Sequence, residues 1–123
     1  MLLFLDYLDR ADIINSLKAA QKADSALTKP DKVFLNNTNI IEALAIAEGN
    51  IGNGRESFFM NAVSARCTIT TPAKGDFMVD NTYVFEICGK SKTSHQIHGI
   101  PNAYLAKDNI EVGSASVIPL WLF

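Results

Sequence analysis

The chain has 123 residues, 48% of them apolar and 20% charged, enough for one hydrophobic core and too short for two full domains. A formal net charge of −2 excludes a global basic field that would draw it to nucleic acid or an anionic membrane, so either contact needs a local patch or a partner. No apolar run approaches the roughly 20 residues that cross a bilayer, and two cysteines are too few for a disulfide scaffold.

The opening Met1-Leu2-Leu3-Phe4-Leu5 is short and followed by acid where a signal peptide carries a basic leader, so the expectation is a reduced, cytoplasmic protein. Leu2, Leu3, Leu5, Leu8, Ile13, Ile14 and Leu17 outline one apolar helical face, with Asp6, Asp9, Arg10 and Lys18 for the other. The segment starts already helical in pattern, as though cut from a longer protein, and residues 1–28 are expected to be a connector helix and linker. Freed from an upstream domain, such a face predicts pairing with a second copy, and a two-fold dimer is the commonest closed form. Ala19 to Pro30 is small and polar, and Pro30 stops any helix that reaches it.

Lys32-Val33-Phe34-Leu35 predicts a short strand. Asn37 or Thr38 can cap a helix carrying Ile40, Ile41, Leu44 and Ile46, with Glu42 at a capping-box position if Asn39 is the cap. Gly49-Asn50-Ile51-Gly52-Asn53-Gly54 follows as a glycine-rich joint. Gly49 and Gly54 have the spacing of a phosphate-binding loop, but Arg55-Glu56 stand where Lys and Ser or Thr are required, so this is not a P-loop. Nor is there a third glycine for a dinucleotide loop. The better reading is a flexible loop opening a helix over Arg55–Ala65, with Phe58, Phe59, Ala62, Val63 and Ala65 packing on a sheet. Glu56 falls in its first turn, where the positive helix end favours a carboxylate.

Cys67-Thr68-Ile69-Thr70 is β-branched and ends before Pro72. Phe77–Val79 and Tyr83–Ile87 flank Asp80-Asn81-Thr82, the turn residues of a tight hairpin. Tyr83-Val84-Phe85-Glu86-Ile87-Cys88 is almost continuously apolar, the mark of a strand covered on both faces in the middle of a sheet. Glu86 lies inside it, and an ionised carboxylate in a dry strand costs several kcal/mol unless a metal or a cation partners it. Glu86, Cys88 and Lys90 share a face if the strand runs on, and Asp76 enters the neighbouring strand close enough to converge with Glu86. Glu56, Asp76, Glu86 and Lys90 are therefore the candidate catalytic set. Asp76 and Glu86 would ligate a hard cation such as Mg²⁺, which takes one or two carboxylates plus waters and substrate oxygens, and Lys90 would meet a phosphate. The alternative is a satisfied core acid paired with Lys90.

Ser91 to Gly99 is polar, with Lys92, His95 and His98, and predicts a loop or short helix. Cys67, Cys88, His95 and His98 lack the paired CxxC spacing of structural zinc, and Cys88 lies in too buried a strand for a nucleophile. Tyr104–Ala106, Ile110–Val112 and Val117–Phe123 are strand-like, with an Asp108-Asn109 turn between the first two. The last run is expected to dock into the core around Trp121.

Lys29-Pro30-Asp31-Lys32-Val33-Phe34-Leu35-Asn36-Asn37-Thr38-Asn39, Asn50-Ile51-Gly52-Asn53 with Arg55-Glu56-Ser57-Phe58-Phe59, Lys74-Gly75-Asp76-Phe77, Phe85-Glu86-Ile87-Cys88-Gly89-Lys90 and Ile118-Pro119-Leu120-Trp121-Leu122-Phe123 form an ordered motif series. Over residues 29–123 it resembles the C-terminal domain of bacterial AAA+-type P-loop ATPases. The resemblance implies an α/β (α+β), restriction-endonuclease-like domain of the PD-(D/E)xK type: a central mixed sheet flanked by helices, with the upstream ATPase domain and nucleic acid as partners. It places the family's helix glutamate on Glu56, its strand aspartate on Asp76 and its second acid on Glu86. It departs at Cys88, where the nuclease pattern has lysine; Lys90 is two residues further on. No Gly-x4-Gly-Lys-Ser/Thr occurs, so the ATPase domain itself is absent from these residues. Two functions follow: an accessory, non-catalytic module of such an ATPase, or a Mg²⁺-dependent nuclease.

Overall fold

The computed structural model of the chain describes residues 1–20, 28–44, 51–93 and 96–123, with Ile51 in backbone only. It is an α+β structure built on a five-stranded mixed sheet and a two-stranded one. Helix α1 (Leu2–Arg10) leads into β1 (Ile14–Leu17), which pairs antiparallel with β2 (Lys32–Leu35). Helices α2 (Thr38–Ala43) and α3 (Ile51–Ser64) follow. Then come β3 (Ile69–Thr70), β4 (Phe77–Val79), β5 (Tyr83–Cys88), β6 (Ala103–Lys107) and β7 (Val117–Pro119), adjacent in that order, and a 3₁₀ turn, Leu120–Leu122. The first three are an antiparallel meander; β6 and β7 add parallel to β5 and to each other. No helix among the described residues is long and apolar enough to cross a membrane.

The local chemistry explains most of these elements. Asp80 (φ 49°) and Asn81 (φ 52°) both take left-handed backbone, and the Thr82 amide bonds the Val79 carbonyl at 3.0 Å. Two successive positive φ values are what a type I′ hairpin demands, and Asp and Asn tolerate them. Asn37 caps α2, its side chain accepting the Asn39 amide at 2.8 Å. β5 is buried from Val84 to Cys88 with neighbours on both edges, as its continuous apolar run predicts. Phe85 and Ile87 face one core cluster, with Leu17, Phe34, Phe59, Phe77, Ala106 and Leu120. Val84 and Cys88 face the other, with Ile97 and Leu105. Phe59 of α3 carries the helix onto the sheet, its ring centroid 5.2 Å from Phe77 and 5.1 Å from Phe85.

Four expectations are corrected. The N-terminal apolar face is not one helix to Leu17. Helix α1 stops at Arg10 in a reversal where Asp12 (φ 55°) bonds the Asp9 carbonyl and Ile13 the Leu8 carbonyl, each at 3.0 Å. Ile14 and Leu17 then belong to a strand, and Leu17 is fully buried in the main core. Second, α3 begins at Ile51, so Gly52-Asn53-Gly54 is helical rather than a loop; Gly49, Asn50 and Ile46 lie outside the described residues. Third, Ile110–Val112 forms no strand. Fourth, Val117–Phe123 is strand only to Pro119, and Trp121 is exposed while Leu120 is buried.

Candidate functional site

Gly75 positions the first acid. Its φ of +91° is a conformation that glycine alone adopts cheaply, and a Cβ there would lie 2.8 Å from Val84 Cγ1 and 3.3 Å from the Phe85 carbonyl oxygen. The close approach lets the Asp76 amide donate to the Phe85 carbonyl at 2.9 Å. Asp76 Oδ2 in turn accepts the Ile87 amide at 2.8 Å, so a side-chain carboxylate caps the ladder of β5 just beyond β4. Phe77 pairs with Phe85, which brings Asp76 opposite Glu86.

Glu86 is the only charged side chain buried among the described residues, 2% exposed. Its position on the Val84–Cys88 face turns it away from the phenylalanine core. Lys92 Nζ donates to Glu86 Oε1 from the loop that follows β5. That hydrogen bond raises the Lys92 ammonium above the usual lysine pKa, against the opposing effect of its own burial. Lys32, the first residue of β2, reaches the other acids: its Nζ is 3.2 Å from Glu56 Oε2 and 3.5 Å from Asp76 Oδ1. The same ammonium lies 5.6 Å from the centre of the Phe77 ring. Glu56 and Asp76 thus share the ammonium of Lys32, and Glu86 takes that of Lys92. An open cleft of about 520 Å³ lies beside them, lined by Lys74, Gly75, Asp76, Glu86 and Gln96.

The sequence-predicted residues divide accordingly. Lys32 joins Glu56 to Asp76, and the register sets Asp76 opposite Glu86. Lys90 is not brought to them: β5 ends at Cys88, Lys90 is exposed, and its carbonyl accepts Lys107 Nζ at 3.4 Å. Cys88, two residues after the acid, is buried, and that burial pushes its thiol pKa up. Its place in the second core cluster leaves no room for a lysine's charge. Lys32 and Lys92 are the residues that sequence reasoning missed. Their partners lie 24 to 44 positions away for Lys32, beyond any local spacing rule, whereas Lys92 follows Glu86 by only six.

Asp76 and Glu86 offer the hard oxygens that Mg²⁺ takes, but each already receives a protein donor. Among the described residues no three His, Cys, Asp or Glu side chains stand together as a metal cluster. Cys67 packs against the main core and Cys88 in the second, on opposite faces of the sheet; His95 lies outside the described residues. No family model, curated protein or solved structure matches this chain.

Proposed function

We propose that the chain is an accessory interaction module of an AAA+-type ATPase, with a restriction-endonuclease-like site held closed by its own lysines. The motif series of residues 29–123 supports the family. The observation that carries the non-catalytic reading is the ammonium of Lys92 on the buried carboxylate of Glu86, reinforced by Lys32 between Glu56 and Asp76. An acid already matched by an internal cation cannot lose that cation without leaving a buried charge unpaired, and nuclease chemistry needs those same oxygens for a metal and its hydroxide. The module acts in the cytoplasm through contacts with the ATPase domain or nucleic acid. Helix α1, none of whose residues is fully buried, is its contact with the upstream domain or, when freed from it, with a second copy.

A second reading, the Mg²⁺-dependent nuclease, draws on the open cleft beside Asp76 and Glu86 and on Lys74 at its edge. Incubation of the chain with supercoiled and single-stranded DNA and with RNA, in Mg²⁺ or Mn²⁺, separates the two. The accessory reading predicts intact nucleic acid and no ATP binding. Cleavage lost in both Asp76→Asn and Glu86→Gln, with the fold retained, establishes the nuclease instead.

A further inference from the structure

The 3₁₀ turn at Leu120–Leu122 displays its tryptophan. Leu120 is buried on one side of it, and on the other the Phe123 ring sits 4.8 Å from Phe59 and 5.5 Å from Phe85. Between these anchors Trp121 is 64% exposed, yet it is fixed, its Nε1 donating to the Ile110 carbonyl at 3.2 Å. An aromatic face held rigid in water loses little conformational freedom when something covers it, which is why such side chains anchor interfaces. Trp121 forms one wall of a cleft of about 430 Å³, with half-exposed Phe58 of α3 among its other lining residues. Gly54 leaves space between, since a Cβ there would meet no atom within 4 Å.

The charges of this cleft are unequal. Arg55 is committed to Asp108, Nε to Oδ2 at 2.8 Å. Glu42 of α2 also lines the cleft, is exposed, and its carboxylate makes no hydrogen bond or ion pair with any described residue. One unspent carboxylate beside two aromatic faces suits a cation on an apolar stem: the stem covers the rings, the charge sits over the indole and turns to the acid. A phosphate backbone would meet Glu42 and a net-negative chain, so the charge disfavours nucleic acid here.

We propose that this cleft docks a basic segment of a partner protein, an arginine or lysine side chain laid across Trp121 and Phe58 with its charge toward Glu42. It shares no lining residue with the cleft at Glu86, so the proposal stands whichever function that site has. Trp121 is the sole tryptophan of the chain, and its fluorescence reports on the site directly. The full chain is titrated with an amidated Arg-Leu-Arg-Leu-Arg peptide, with its glutamate counterpart, and with a thymidine decanucleotide. The expected result is a saturable emission change with the basic peptide alone. Glu42→Lys weakens it at least about tenfold, because like charges then face each other, and Glu42→Gln weakens it less. Both substitutions are at an exposed position, and an unchanged circular dichroism spectrum checks the fold. No saturable response to the basic peptide, undiminished affinity in Glu42→Lys, or a stronger response to the acidic peptide or the oligonucleotide would overturn the proposal.

Discussion

Glu86 shows how much one residue can announce. A lone carboxylate in an apolar β-branched run must be matched by a cation, and that requirement is legible before any fold is known. Which cation matches it is not legible, because the answer depends on where β5 ends. Lys90 would share the face of Glu86 only if the strand passed Gly89; it stops at Cys88, and the turn that follows carries Lys92 back to the carboxylate. Lys92→Met should cost about 1–3 kcal/mol in chemical denaturation, the range for leaving a buried acceptor without its donor. The figure is held below that of a dry ion pair because Lys92 is itself 44% exposed. The raised Lys92 pKa also fixes a pH dependence. A group whose folded pKa lies above its unfolded value stabilises fully below the unfolded value of about 10.4 and loses that stabilisation as pH rises through the folded one. Stability should therefore fall in the alkaline range more steeply for the native chain than for Lys92→Met, as thermal unfolding at stepped pH would show. Gly75→Ala tests the other acid: with φ +91° and a clash at Val84 it should destabilise by at least about 1–3 kcal/mol and displace Asp76 from the Ile87 amide.

Among the elements, β4, β5 and their hairpin were written plainly in the sequence, because turn chemistry and a continuous apolar run are both local signals. Strand β1 was not. Ile13, Ile14 and Leu17 keep helical spacing with Leu8, so periodicity alone extends α1 across the Asp12 reversal. Pairing with Lys32–Leu35, set by tertiary contact, overrides that pattern. Gly52 and Gly54 misled in the opposite direction, since glycine at about 1 kcal/mol per residue is a poor helix former but tolerable where phenylalanines further along bury the helix. The revised N-terminus gives a sharp expectation. Removing residues 1–11 takes away a helix with no fully buried residue and should leave a cooperative unfolding transition. Removing residues 1–18 also takes Ile14 and fully buried Leu17 from the core and should abolish that transition. A folded 19–123 fragment would show that β1 is dispensable. Leu17→Ala alone should cost about 2–5 kcal/mol by urea denaturation.

At the scale of the whole molecule, topology assembles the acid–lysine site from α3, β2, β5 and two loops. Sequence reading had named the three acids, Glu56 from a first-turn place that a helix starting at Ile51 does not give it, and missed Lys32, whose partners are distant in the chain, and Lys92, six residues from its own. Arg55 and Asp108 tie α3 to the loop after β6 in the same way, and the hydrogen bond from Arg55 holds the Asp108 carboxyl below its usual pKa. Such a lowered acid stabilises above its unfolded value and loses that contribution as pH falls through the folded one, so Asp108→Asn should flatten the acid limb of the stability profile. The central claim is that Glu86 and Lys92 form a closed, stabilising pair. A double-mutant cycle tests it most directly, measuring urea unfolding at neutral pH for the native chain, Glu86→Gln, Lys92→Met and the double variant. The account predicts a favourable coupling of about 1–3 kcal/mol, the double variant being less destabilised than the sum of the singles. Additive singles, with a coupling indistinguishable from zero, would contradict it.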